Sequence, residues 1–256
     1  MIKHLAVILS IVLWTVSVGA VQGYDVMKVK NGATLKGTVN FKGNVPPDET
    51  IVINKDAEFC GNEQKVGKYL VSNSRVENVV IWIEGVERGK AVPVKEVNIT
   101  IKNCRAVPHV NIGFVGGEYV FKNEDEILHT VQSKLGLAYQ RKVSSRPLED
   151  GASIYNLALP RTGHIVKKPI KKWHRITDDT GFIQVRSNTH NWIRGYIFIF
   201  DHPYAAVTGS NGTFEIDSLP AGEYVLKAWH EGFGTQEKKI SIKSGKSMEV
   251  EIAFAK

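Results

Sequence analysis

Residues 209–226 read Gly-Ser-Asn-Gly-Thr-Phe-Glu-Ile-Asp-Ser-Leu-Pro-Ala-Gly-Glu-Tyr-Val-Leu, and this stretch decides the fold class. Asn211-Gly212 is a pair that tolerates left-handed backbone and predicts a tight hairpin turn. Phe214 and Ile216, two apart, share one face of an extended segment and predict a buried side. Pro220-Ala-Gly222 marks the next turn, and Tyr224 and Leu226 re-enter the apolar face. The period is two, with turn chemistry at either end, so the stretch is strand, turn, strand. The same texture recurs outward along the chain: Leu35–Phe41, Val79–Ile83, Val97–Ile101, Tyr119–Lys122, Gly181–Arg186, Gly195–Phe200, Lys239–Ile242 and Met248–Phe254. No window carries an amphipathic 3.6-residue period over three turns. The chain is therefore all-β, with sandwich architecture and helix confined to a turn or two.

At the N-terminus, Lys3-His4 precedes an apolar run, Leu5–Val16, and then the small residues Ser17-Val18-Gly19-Ala20. That order predicts a secretory signal peptide over residues 1–20 and a periplasmic or extracellular destination. The run is short of the roughly 20 residues of a membrane-spanning helix, and no later stretch approaches one. Export also argues against nucleic acid as a partner, although the chain carries a formal charge of +7. The basic residues concentrate at Arg161, Lys167, Lys168, Lys171, Lys172 and Arg175. Such a cluster is either a solvated loop or a docking patch for an acidic partner or anionic surface. It falls in Gln132–Arg175, which shows little β-periodicity and reads as a long basic excursion between two strands. Cys60 and Cys104 are the sole cysteines. An even pair in an exported chain predicts one disulfide, and the wide separation disfavours the alternative of two thiolate metal ligands.

Two family resemblances rest on motifs. Asp201-His-Pro-Tyr204, Gly-x-Phe214-x-Ile216, Leu219-Pro-x-Gly222-x-Tyr224-x-Leu226 and Trp229-His-Glu231 resemble a carboxypeptidase regulatory-like domain, a small transthyretin-like β-sandwich. The resemblance implies such a domain over 195–256 and no catalysis. The segment Phe121–Thr130 (FKNEDEILHT) resembles the cupredoxin strand-end motif N-x-D-x-x-x-H, and Ser187–Ile193 (SNTHNWI) stands where that family places C-x-x-H-x-x-M. This implies a cupredoxin-like β-sandwich over 24–194, with His129 and His190 at metal-ligand positions. Ser187 replaces the cysteine ligand and Ile193 the methionine. Without a thiolate, a type 1 copper site and its electron transfer are lost. The two histidines could still hold copper with a third imidazole, for which His109, His202 and His230 are candidates. The remaining alternative for each histidine is a hydrogen-bonded structural group, the favoured reading for His164 and His174.

Cys60-Gly61, the C-x-x-x-P-H of Cys104–His109 and the motifs above together resemble exported plastocyanin-like proteins. Those are often labelled methylamine-utilisation proteins, from bacteria that respire with multihaem cytochromes. The resemblance implies a redox setting and a partner that is another exported protein, such as a multihaem cytochrome. No Gly-x-Ser-x-Gly elbow, His-Glu-x-x-His run or phosphate loop is present. The expectation is a non-enzymatic accessory protein with a degenerate cupredoxin site. A histidine-based copper-binding protein and a carbohydrate- or surface-binding module are the alternatives. The aromatics Trp192, Tyr196, Phe198, Phe200, Tyr204 and Trp229 are expected to pack the junction between the two modules.

Overall fold

The computed structural model describes residues 23–137, 153–171 and 181–255. The expected signal peptide, Lys172, His174 and Arg175 lie outside the described residues. Within them the chain is all-β. The one α-helix among the described residues is the four-residue turn Ala57–Cys60. No helix among them is long and apolar enough to cross a membrane.

Four main sheets stack as layers. The first orders Arg105–Val107, Glu96–Lys102, Glu118–Asn123 and Ile165–Pro169. The second orders Val110–Phe114, Arg194–Phe200, Gly181–Arg186, His129–Leu137 and Ser153–Leu159. The third orders Ala205–Val207, Val80–Glu84, Gly222–His230 and Gly234–Ile242. In the fourth, Ala33–Lys42 lies between Thr213–Leu219 and Met248–Ala255, with Val71–Ser72 and Arg75–Val76 at one end.

Each gap between layers is filled by one apolar cluster. Ile99, Phe121, Val131, Ile183 and Ile197 fill the first sandwich. Leu35, Phe41, Ile81, Leu226 and Phe254 fill the second. Trp82, Phe182, Phe198, Phe200 and Trp229 fill the gap between the sandwiches. Two strands are apolar on both faces because each is covered on both faces. In Arg194–Phe200, Ile197 and Ile199 face the first sandwich while Phe198 and Phe200 face the junction. In Val80–Glu84, Ile81 and Ile83 face the second sandwich while Val80 and Trp82 face the junction. The Trp229 and Phe198 rings are 4.8 Å apart there. Trp192 and Tyr204 depart from the expected junction: Trp192 packs in the first sandwich and Tyr204 in the second.

Three further expectations are corrected. The sandwiches are not contiguous halves divided at residue 195. Arg194–Phe200 pairs inside the first sandwich, with Gly181–Arg186 and Val110–Phe114. Ala33–Lys42 and Val80–Glu84 pair with C-terminal strands in the second. A strand needs partners for its N–H and C=O groups. The four long strands after residue 212 split between two sheets, so earlier strands complete them. The basic excursion 132–175 also contains strands. His129–Leu137 pairs with Ser153–Leu159, and Ile165–Pro169 pairs with Glu118–Asn123. Ser153–Leu159 and Ile165–Pro169 are sheet edges with mostly solvated faces, so their sequences lack an apolar alternation. Lys167 among them pairs with Glu96. The third correction concerns Asn211-Gly212. Gly212 is left-handed at φ 66°, but Ala205–Val207 and Thr213–Leu219 belong to different sheets, so the turn links layers and not hairpin strands. Phe214 then folds over Gly37, where an added Cβ would lie 2.4 Å from the ring and 2.6 Å from the Val250 carbonyl.

Cys60 and Cys104 form the disulfide. It ties the helix Ala57–Cys60, between the short paired strands Thr50–Val52 and Glu63–Lys65, to the end of the first sandwich.

Candidate metal centre

The sequence Asn123-Glu-Asp125 builds one side of the centre. Asn123 is fully buried and organises the loop, donating to the Ile127 and Leu159 carbonyls at 2.8 and 2.9 Å and accepting from the Asp125 N–H at 2.8 Å. Asp125, 3% exposed, accepts backbone N–H bonds from Asn103 at 2.7 Å and Cys104 at 2.8 Å. Both donors are left-handed, at φ 51° and 57°, which turns two successive N–H groups towards one carboxylate. The Asp125 Oδ2 lies 2.9 Å from His129 Nε2.

His190 comes from the loop between Gly181–Arg186 and Arg194–Phe200. Its Nε2 lies 2.7 Å from Oδ2 of Asp56, the residue leading into the helix Ala57–Cys60. Both imidazoles are fully buried, and their Nδ1 atoms face each other at 2.9 Å. Hydroxyls of Thr130, Ser187 and Thr189 form a triangle beside them, with separations of 3.1 to 3.2 Å. Thr189 Oγ1 is 3.3 Å from His190 Nδ1, and Ser187 Oγ accepts the His190 N–H at 3.2 Å.

Proton accounting decides what the pair can do. A carboxylate partner assigns a proton to each Nε2, which leaves a lone pair on each Nδ1. Two lone pairs aimed at each other across 2.9 Å repel unless something positive lies between them. One shared proton satisfies them, and so does one cation. A second proton is disfavoured: burial first, and then the neighbouring His190, push the His129 pKa down, against the opposing pull of Asp125. With metal–nitrogen bonds of about 2.0 Å, donors this far apart subtend roughly 90° at a metal, a normal angle for adjacent ligands. The donor set therefore fits a single cation held by two imidazoles. It does not fit a blue-copper centre, because Ser187 brings a hydroxyl. Cys104 Sγ lies within 4.8 Å of the ligand atoms of Asp125 and His129, but it is committed to the disulfide.

The other candidate ligands have separate engagements. His109 has its Nδ1 3.1 Å from the Arg194 carbonyl and its Nε2 against Glu231. His230 accepts the Gly232 N–H at 3.1 Å and stacks on Phe233 at 4.4 Å. His202 accepts the Tyr204 N–H at 3.2 Å. Burial lowers the pKa of both His230 and His202 to about 4. His164 contributes its backbone carbonyl to Asn123.

Asp56 is the functional residue that sequence reasoning missed. Its one signal was indirect: it precedes Cys60 by four residues, and the disulfide carries both to the centre.

Residues 196–255 match the family model described as carboxypeptidase regulatory-like domain. No curated protein sequence matches the chain. Among solved structures, the chain is similar to amicyanin from Paracoccus versutus, at 14% identity and a TM-score of 0.29, covering 43% of this chain and 85% of that one. A purple cupredoxin from Nitrosopumilus maritimus aligns at 16% identity and a TM-score of 0.29, covering 41% and 99%. A copper-containing nitrite reductase from Thermus scotoductus aligns at 17% identity and a TM-score of 0.29, covering 44% of this chain and 24% of the enzyme.

Proposed function

We propose that this chain is an exported, non-enzymatic accessory protein that binds one copper ion between His129 and His190. The observation that carries the reading is the 2.9 Å approach of two Nδ1 atoms whose Nε2 partners are both carboxylates. Among divalent first-row metals a nitrogen site ranks copper highest, and imidazole suits it. Asp125 and Asp56 would orient the rings and offset the ion's charge through the Nε2–H groups, the usual role of groups behind metal ligands. Copper so held supplies a redox-active ion without the thiolate that gives type 1 sites their colour. Export is supported by the N-terminal sequence pattern and by the disulfide, a feature of oxidising compartments. The partner in this reading is another exported protein, such as a multihaem cytochrome.

Calorimetric titration with Cu(II) tests the reading. The expected result is one strong site per wild-type chain, no intense visible band, and at least a hundredfold weaker binding in the double variant His129→Ala with His190→Ala. Equally weak binding in both proteins would overturn it.

A further inference from the structure

A cavity of about 320 Å³ opens where the two sandwiches meet. Its apolar wall is built by Ile51, Leu70, Val107, Pro108 and Ile193. Leu70 flanks the short strand Val71–Ser72 of the fourth layer, while Val107 ends an edge strand of the first. The volume sits at the small end of the range for small-molecule pockets.

The charge of the lining is one-sided. Lys65, Arg105 and Arg194 bring three permanent cations, and Glu77 is the one carboxylate in the wall. His109, also in the wall, has both ring nitrogens already committed to the Arg194 carbonyl and Glu231. Arg194 carries a further anomaly: its Nε is buried without a hydrogen-bond partner. A buried, unpaired guanidinium donor is costly and is ordinarily satisfied by something. Arg194 also lies directly opposite Arg186 in the antiparallel pairing, which puts like charges on neighbouring positions. Arg186 turns to Gln184, donating from Nη2 at 2.9 Å.

We infer that this cavity binds a small organic carboxylate with a compact apolar body. The carboxylate would accept from Arg194 and Arg105, since guanidinium geometry matches a carboxylate's two oxygens. The apolar body would displace water from the Ile51–Leu70–Val107 wall. The lining of this cavity includes neither His129 nor His190.

Phenylacetate is the probe, and its neutral isostere phenylacetamide is the control, each titrated by calorimetry into the full-length protein. The expected result is saturable phenylacetate binding at one site, with phenylacetamide at least tenfold weaker. Arg194→Met, which keeps the aliphatic stem, should weaken phenylacetate binding at least tenfold and leave phenylacetamide unchanged. Arg105→Met, at an exposed position and without risk to the core, should weaken it severalfold. No saturable binding, equal affinity for acid and amide, or unchanged binding in Arg105→Met together with a folded Arg194→Met would overturn the inference.

Discussion

Single buried histidines set how this molecule responds to acid. His230 and His202 are neutral in the fold, with pKa values lowered to about 4 chiefly by burial. The unfolded chain holds them near 6.5, so between these values it binds more protons than the native state. Stability is therefore complete above about pH 6.5 and falls as the pH drops towards 4. A depression of this size is worth up to about 3 kcal/mol per histidine. His230→Asn keeps an acceptor for the Gly232 N–H and removes the titrating group. Urea midpoints measured from pH 7.5 to 4 should slope less in His230→Asn than in wild type, and identical slopes would refute the assignment to His230. Legibility at this scale was uneven. The motif Asn123-x-Asp125-x-x-x-His129 put the carboxylate and its histidine in view, because a short loop fixes their relation. The pairing of His129 with His190 was legible only through resemblance, and the 2.9 Å contact between them was not. Asp56 was invisible, since nothing local in Asn54-Lys-Asp56 marks a residue whose partner lies 134 positions away.

At the scale of elements, the segment from Thr50 to Lys65 acts as a flap. It is two short paired strands and a single helical turn, too little surface to hold itself in place. Its anchors are Ile53, buried in the core of the first sandwich, the Cys60–Cys104 disulfide, the hydrogen bond from Gln64 to the Asn103 carbonyl and the contact from Asp56 to His190. A disulfide across 44 residues stabilises by about 4 kcal/mol on the chain-entropy account. Reduction should therefore raise amide exchange across residues 50–66 and leave the strands Gly222–His230 and Gly234–Ile242 protected. Uniform protection after reduction would show that the flap is held by its own packing. The long strands were legible because alternation and turns coincide in them, as in Met248–Ala255. The edge strands Ser153–Leu159 and Ile165–Pro169 were not, because a solvated edge leaves its lysines and asparagine where a core strand shows apolar residues.

At the scale of the whole molecule, two sandwiches share one continuous apolar stack. The family match begins at residue 196, yet the strand Arg194–Phe200 belongs to the first sandwich by pairing. The strand Ala33–Lys42 is central to the second, flanked on both sides by C-terminal strands. A fragment spanning residues 196–255 lacks that central strand and Val80–Glu84. It should show the dispersionless amide spectrum of an unfolded chain, and a dispersed β-sheet spectrum would contradict the shared architecture. The interleaving was not legible in the sequence, because pairing between Leu35 and Met248 depends on contacts more than 200 positions apart, for which a single chain carries no local mark. Of the aromatics expected between the two modules, Phe198, Phe200 and Trp229 pack there, with Tyr196 against them.

The histidine pair sits at the end of this stack, and the proposed cation occupies the space between its two Nδ1 atoms. Nitrogen-15 NMR of the histidine rings, with and without one equivalent of Cu(I) kept reduced by ascorbate, reads that space directly. The proposed site requires that both Nδ1 resonances of His129 and His190 move together on addition of copper while both Nε2 atoms remain protonated. Unmoved Nδ1 resonances on both rings, or a shift at Nε2 instead, would contradict it.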